Sequence, residues 1–336
     1  MGDSGNTVIK TNISRVTIEN YGNVIKEYDI GVSDNGCFIS EVFILQYFNG
    51  VRGFPQLLNV ECGNTTGRIT MKYAGTCRAP PIRDTALYIR ALEILAYMHG
   101  HGIVHCDIKP DNVMIDLGGE VTFIDFSHSY PICTASRAVC DKNMIMLPQY
   151  SAPEFNKRAT YTTSSDIWAL GCLFYEWYTG KALFRGDKER VLAMQYDSLA
   201  TTTAITRNVD DPFISNLIQM MLILDPGMRL SADMLLSYLL DRKIVHLDEP
   251  SILTKPNIDA IILEFRDRFA IITGRLTGLS PGCCDDLSYY LAESLFRDRW
   301  FMMMPTISTN SWYCKHICTV VRAIANIGAL FAAGDK

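Results

Sequence analysis

Residues 105–115 read HCDIKPDNVMI and, after a turn at Gly118-Gly119, residues 121–127 read VTFIDFS. Two acids and an amide flank two short apolar runs of strand length. Asp107 and Asn112 lie five apart, and Asp125 follows Asn112 by thirteen, a spacing that a strand-turn-strand folds back into one pocket with Lys109 beside them. Mg²⁺ takes hard oxygen ligands and keeps several waters, so one carboxylate, one amide oxygen and a bound phosphate suffice for it. Asp125 and Asn112 suit the metal. Asp107 is then left to accept a hydroxyl proton, and Lys109 to neutralise charge on a transferring phosphoryl group.

The rest of the chain builds two lobes around this stretch. Residues 13–30 mix β-branched side chains with a Tyr-Gly-Asn turn and predict a hairpin; 36–48 has helical spacing; 55–60 and 68–74 resume short strands. From Ile82 onward the period is mainly helical, over 82–100, 165–179, 187–199, 213–224 and 231–240. A β-rich front and a helical body predict an α+β, two-lobed fold with a ligand cleft between the lobes. The 336 residues exceed one small module, and 48% hydrophobic with 20% charged residues argue for a packed core rather than disorder. A net charge of −5 supplies no broad attraction for nucleic acid or anionic lipid.

Beyond the central stretch the sequence resembles the protein kinase family, whose signatures include H-R-D-L-x-x-x-N, D-F-G and A-P-E. SAPEF at 151–155 is similar to the A-P-E motif, and SDIWALG at 165–171 to the opening of the family's central helix. LDPGMRLSADMLL at 224–236 resembles its final domain helix, which places Arg229 to pair with Glu154. The resemblance implies a kinase domain over 1–244, with an N-lobe at about 1–73, a hinge at about 72–76 and a C-lobe at 77–244. It implies ATP and Mg²⁺ as cofactors, with Asp107 and Lys109 catalytic and Asn112 and Asp125 on the metal. Lys26 in NVIKEYDI becomes the ligand of the α- and β-phosphates, held by Glu41. Met71, Lys72, Tyr73 and Ala74 meet adenine, Val24 and Met114 sandwich its ring, and Leu45, Leu57, His105 and Phe126 form an apolar column between the lobes. Lys109 in D-x-K-x-x-N implies Ser/Thr specificity, and Asp111 a basic residue in the protein substrate.

The departures from the family pattern are local. GDSGNTV at 2–8, with Gly5 as its candidate binding residue, is a poor glycine-rich loop with almost no chain ahead of it for a first strand. Cys106 replaces the arginine before the catalytic aspartate, so switching through a phosphorylated activation loop is not expected. Ser127 replaces the glycine of D-F-G, and Leu147 a threonine that bonds the catalytic aspartate and lysine. A pseudokinase scaffold is the alternative these changes support, and a small-molecule phosphotransferase the third. The kinase subfamily stays open.

After Leu240 three helical patterns follow, near 257–273, 284–300 and 313–331. They are read as a helical extension over 245–336 whose helices pack on the large lobe or on each other, with docking of an activating partner as the other role. The apolar run 317–334 is interrupted by Arg322 and Asn326, and only eleven residues separate that arginine from Gly334, so a buried helix is expected rather than a membrane span. Eleven scattered cysteines without C-x-x-C suit reduced thiols, and no signal core opens the chain, which points to the cytoplasm or nucleus. Cys283, Cys284, Cys314, His316 and Cys318 match no zinc spacing and are read as ordinary thiols, and His128 as a packing residue.

Overall fold

The computed structural model describes residues 7–242, apart from 12–13, 20–21, 30–34, 63–65, 78–79, 132–137, 140–146 and 159. Its front is a five-stranded antiparallel sheet of β1 (Thr7–Lys10), β2 (Ser14–Ile18), β3 (Asn23–Asp29), β4 (Leu57–Cys62) and β5 (Thr66–Lys72), in the order β1-β2-β3-β5-β4. The register aligns Ile18, Val24 and Met71 in one row, Val16, Lys26 and Ile69 in the next, and Ser14, Tyr28 and Gly67 in the third. Because strand side chains alternate, a lysine in NVIKEYD falls among the inward apolar set while Glu27 points out and pairs with Arg68. The helix α1 (Asn35–Tyr47) lies against that inner face. Gly67 is required there: a Cβ at this position would sit 2.7 Å from the ring of Phe38.

The helical body follows. It comprises α2 (Thr85–Gly100), α3 (Pro153–Arg158), α4 (Thr163–Thr179), α5 (Lys188–Tyr196), α6 (Ser198–Asn208), α7 (Pro212–Met221) and α8 (Ala232–Arg242). Short strand pairs thread between them: β6 (Ile103–Val104) with β9 (Tyr130–Pro131), β7 (Val113–Ile115) with β8 (Val121–Phe123), and β10 (Ala138–Val139) with β11 (Thr160–Tyr161). The helix α4 is buried along most of its length, and Gly171 lets it approach α7: a Cβ there would meet Met221 Cβ at 2.9 Å. The two-lobed α+β expectation holds over the described residues, and the 245–336 extension lies outside them.

Two elements differ from their sequence reading. The first strand exists, as β1 at Thr7–Lys10, so the last two residues of GDSGNTV, Thr7 and Val8, belong to it, and residues 11–13 join it to β2. Residues 187–199 are not one helix: α5 ends at Tyr196, and Asp197 caps α6 by accepting from the Ala200 amide at 2.9 Å. The threonine-rich SLATTTAITRN has modest helix propensity and hides its period, since within it only Thr201 and Ile205 are buried.

Candidate functional site

The sheet and the helical body enclose a cavity of about 530 Å³. Lys26, Glu41, Lys109, Asp111, Asn112 and Asp125 line it, as do Met71, Lys72, Tyr73, Ala74, Val24 and Met114. Residues from four separate stretches thus meet in one cleft. Gly5 lies outside the described residues; the rim from the first hairpin is Ile9, Thr11 and Val16, and the turn between its strands contains no glycine.

Lys26 stands between two carboxylates, with Nζ 2.8 Å from Glu41 Oε2 and 2.6 Å from Asp125 Oδ1. Burial alone would pull the lysine down, but Asp125 and Glu41 together outweigh it and hold the pKa well above the ordinary lysine value. One cation cannot compensate both acids equally. Burial opposes ionisation of Asp125, yet Lys26 and a 2.7 Å hydrogen bond from Ser127 Oγ keep it well below the usual carboxylate range. At Glu41 burial prevails over Lys26, and its pKa rises; the Tyr28 hydroxyl also donates to it. Ser127, which stands where the family has glycine, is a buried donor to Asp125, and the left-handed residue is Asp125 itself at φ 63°. A non-glycine residue in that region is strained, and such strain clusters at functional sites.

The second group is built on Asp107. Its Oδ2 accepts from Lys109 Nζ at 2.6 Å and from Asn112 Nδ2 at 2.9 Å, while the same Asn112 nitrogen also donates to the Asp107 carbonyl at 2.8 Å. Among the described residues no donor reaches Asp107 Oδ1, Asn112 Oδ1 or Asp125 Oδ2. The amide nitrogen of Asn112 is committed, so its oxygen is the available atom, and with Asp125 it offers hard oxygens on one cavity wall. That donor set fits Mg²⁺. No group of three or more His, Cys, Asp or Glu able to hold a metal occurs among the described residues.

A buried scaffold sets this loop. Asp166, on α4, accepts from the amides of His105 at 2.9 Å and Cys106 at 3.0 Å, from Tyr161 at 2.8 Å, and lies 2.9 Å from His99 Nε2. These contacts fix Cys106 at φ 71°. Burial holds the His105 imidazole below its usual pKa despite Asp166, so the ring is neutral: Nδ1 accepts from the Asp107 amide at 3.3 Å and Nε2 donates to the Ile124 carbonyl at 3.2 Å. The ring of His105 lies 5.1 Å from that of Phe126, and Leu45 and Leu57 are buried as expected; Phe54, 5.9 Å from Phe126, joins the column unannounced. At the hinge, the Tyr73 amide donates to Gly22, and Thr76 exchanges backbone bonds with Ile115. Between them the N–H and C=O of Ala74 have no partner among the described residues, which leaves the paired donor and acceptor that a base edge needs. Arg229 pairs with Glu154 through two bonds of 2.6 and 2.9 Å, as expected. Leu147 is exposed and makes no side-chain hydrogen bond.

The profile of the protein kinase domain matches residues 66–240. The chain belongs to the protein kinase family. Among its relatives are the Serine/threonine-protein kinase RUNKEL of Arabidopsis thaliana, 32% identical over 46% of this chain and 11% of the relative. PKH3 of Eremothecium gossypii, another serine/threonine-protein kinase, is 32% identical over 41% of this chain and 19% of the relative. Human 3-phosphoinositide-dependent protein kinase 1 is 28% identical over 46% and 27%. The chain therefore spans between 11 and 27% of the length of these relatives. No helix among its described residues is long and apolar enough to cross a membrane.

Proposed function

We propose that this chain is an active serine/threonine protein kinase that moves the γ-phosphoryl group of ATP to a protein hydroxyl. The observation that carries the reading is the meeting of Lys26, Glu41 and Asp125 in one bonded set on the wall of a cavity that Lys109 and Asn112 also line, with Asp107 bonded to both of the latter. ATP with Mg²⁺ supplies the transferable phosphoryl group and the divalent charge that offsets its negative oxygens. Asp125 and Asn112 would hold the metal, and Lys26, fixed by Glu41, the α- and β-phosphates. The Ala74 backbone would read the adenine edge between Val24 and Met114. Asp107 Oδ1 would orient the acceptor hydroxyl and take its proton as the oxygen bonds to the γ-phosphorus and the bond to the bridging oxygen of the departing ADP breaks, while Lys109 would offset charge beside it. Exposed Asp111, on the same wall, favours a basic residue near the acceptor. The kinase domain is assigned to 1–244, and scattered cysteines without C-x-x-C suit a reducing compartment such as the cytoplasm or nucleus.

The pseudokinase reading draws on one observation, that residues 11–13, which join β1 to β2 where phosphate cover is expected, include no glycine. Transfer of labelled γ-phosphate to a basic protein separates the two. The kinase reading expects incorporation that disappears in Asp107→Asn; wild type and variant with equally null incorporation would overturn it. Thermal stabilisation by Mg²⁺-ATP, lost in Asp125→Ala, is expected under the kinase reading and tells whether nucleotide binds at all.

A further inference from the structure

Lys26 and Tyr28 leave β3 on the same side, because strand side chains alternate and both belong to the buried set of that strand. They converge on one carboxylate. Glu41 Oε2 lies 2.8 Å from Lys26 Nζ and accepts from the Tyr28 hydroxyl, and among the described residues Glu41 has no other hydrogen-bond partner. Glu41 and Tyr28 are 1% and 2% exposed, so bulk water replaces neither bond. The two donors differ in one respect: Lys26 Nζ is shared with Asp125 Oδ1 at 2.6 Å, whereas the Tyr28 hydroxyl donates to Glu41 alone.

The ring that carries this hydroxyl is held on its flanks. Phe38, three residues before Glu41 on α1, packs against it at 5.7 Å, and Gly67, its neighbour in register on β5, leaves the space that the Phe38 ring occupies. Lys26 Nζ stands 5.2 Å from the ring centroid. Burial keeps the phenol protonated, with its pKa well above the ordinary value, so at neutral pH it is always a donor. A phenylalanine would fill the same space and cover α1 equally well. What the tyrosine adds is the bond to Glu41.

We propose that Tyr28 is a positioning residue of the phosphoryl-transfer site: its hydroxyl anchors Glu41 to β3, and through Glu41 it aims Lys26 into the cavity. This role rests on the kinase reading. When Lys26 engages phosphate oxygens, Glu41 shares its one cation with a further anion, and a buried carboxylate short of compensation is costly. The Tyr28 bond comes from a neutral group on the same strand and is untouched by that change, so Glu41 keeps its seat.

Tyr28→Phe in the full chain removes only the donor. With Mg²⁺-ATP saturating and labelled phosphate followed into a basic protein, kcat is expected to fall about tenfold while KM for that protein is unchanged. A tyrosine that served packing alone would leave kcat intact. Equal kcat in an active wild type overturns the proposal and leaves the kinase reading standing; a wild type without transfer overturns the kinase reading and this role with it. Urea denaturation reads the bond without any transfer. Tyr28→Phe is expected to lower the midpoint of the wild-type chain but to leave that of Glu41→Leu unchanged or raised, since there the hydroxyl has lost its acceptor. An equal fall in both chains would show that Tyr28 and Glu41 are uncoupled and would overturn the proposal whatever the activity.

Discussion

At the residue scale, Lys26 decides whether two buried acids are tolerable. Lys26→Met leaves Glu41 without its cation, and breaking a buried pair from one side costs about 3–5 kcal/mol. The double variant Lys26→Met/Glu41→Leu is expected to recover part of that loss in urea denaturation while staying inactive; a double variant no more stable than the single would show that the pair is not energetically coupled. His105 makes a second prediction. Its folded pKa lies below the ordinary 6.5, so as pH falls the unfolded chain takes up the proton first. This contribution is intact above about pH 6.5 and is lost as pH falls below it, by at most about 1.4 kcal/mol per pH unit. Stability measured from pH 7.5 to 5.5 should therefore decline less steeply in His105→Leu than in wild type, and parallel slopes would refute the assignment. Asp125, held low, stops stabilising only below its ordinary 3.8, outside this window.

At the element scale, close approach outranks propensity. In an isolated helix Gly171→Ala would gain about 1 kcal/mol. In α4 the new methyl meets Met221 Cβ at 2.9 Å and Leu222 Cδ2 at 3.1 Å, and both belong to packed, buried side chains. The variant is expected to lose about 1–3 kcal/mol by overpacking, read as a lowered midpoint in thermal or urea unfolding; a stabilised variant would mean that α7 moves aside freely. The same logic explains what an element reading missed. The helix α6 is mostly solvated, and its Thr203 and Thr206 hydroxyls bond back to carbonyls four residues earlier, so no apolar stripe announces it. The strand β1 is exposed throughout and only four residues long, and it is a strand because β2 offers it a pairing edge.

At the scale of the whole molecule, Arg229 joins three distant segments. Its guanidinium holds Glu154 of α3, the Ser164 carbonyl of α4 and the Ile223 and Leu224 carbonyls after α7, and it lies over the Trp168 ring at 4.8 Å. A lysine has the charge without the planar fork. Arg229→Lys is expected to cost about 2 kcal/mol, with faster proteolysis in 147–158; an unchanged cleavage rate there would place the linkage elsewhere. That Asn112 and Asp125 share one wall was legible in the chain, because their spacing is set by a strand-turn-strand of fixed local geometry. Lys26 and Glu41 are legible as residue types, and the alternation of β3 turns the lysine inward. Folding in three dimensions decided the rest. Ser127 as a donor to Asp125, Tyr28 on Glu41, and Asp166 beneath His105 and Cys106 are contacts between residues whose types carry no trace of their partners. Such partnerships depend on where whole elements settle against one another, and that is governed by the shared burial of apolar faces rather than by any local run of sequence.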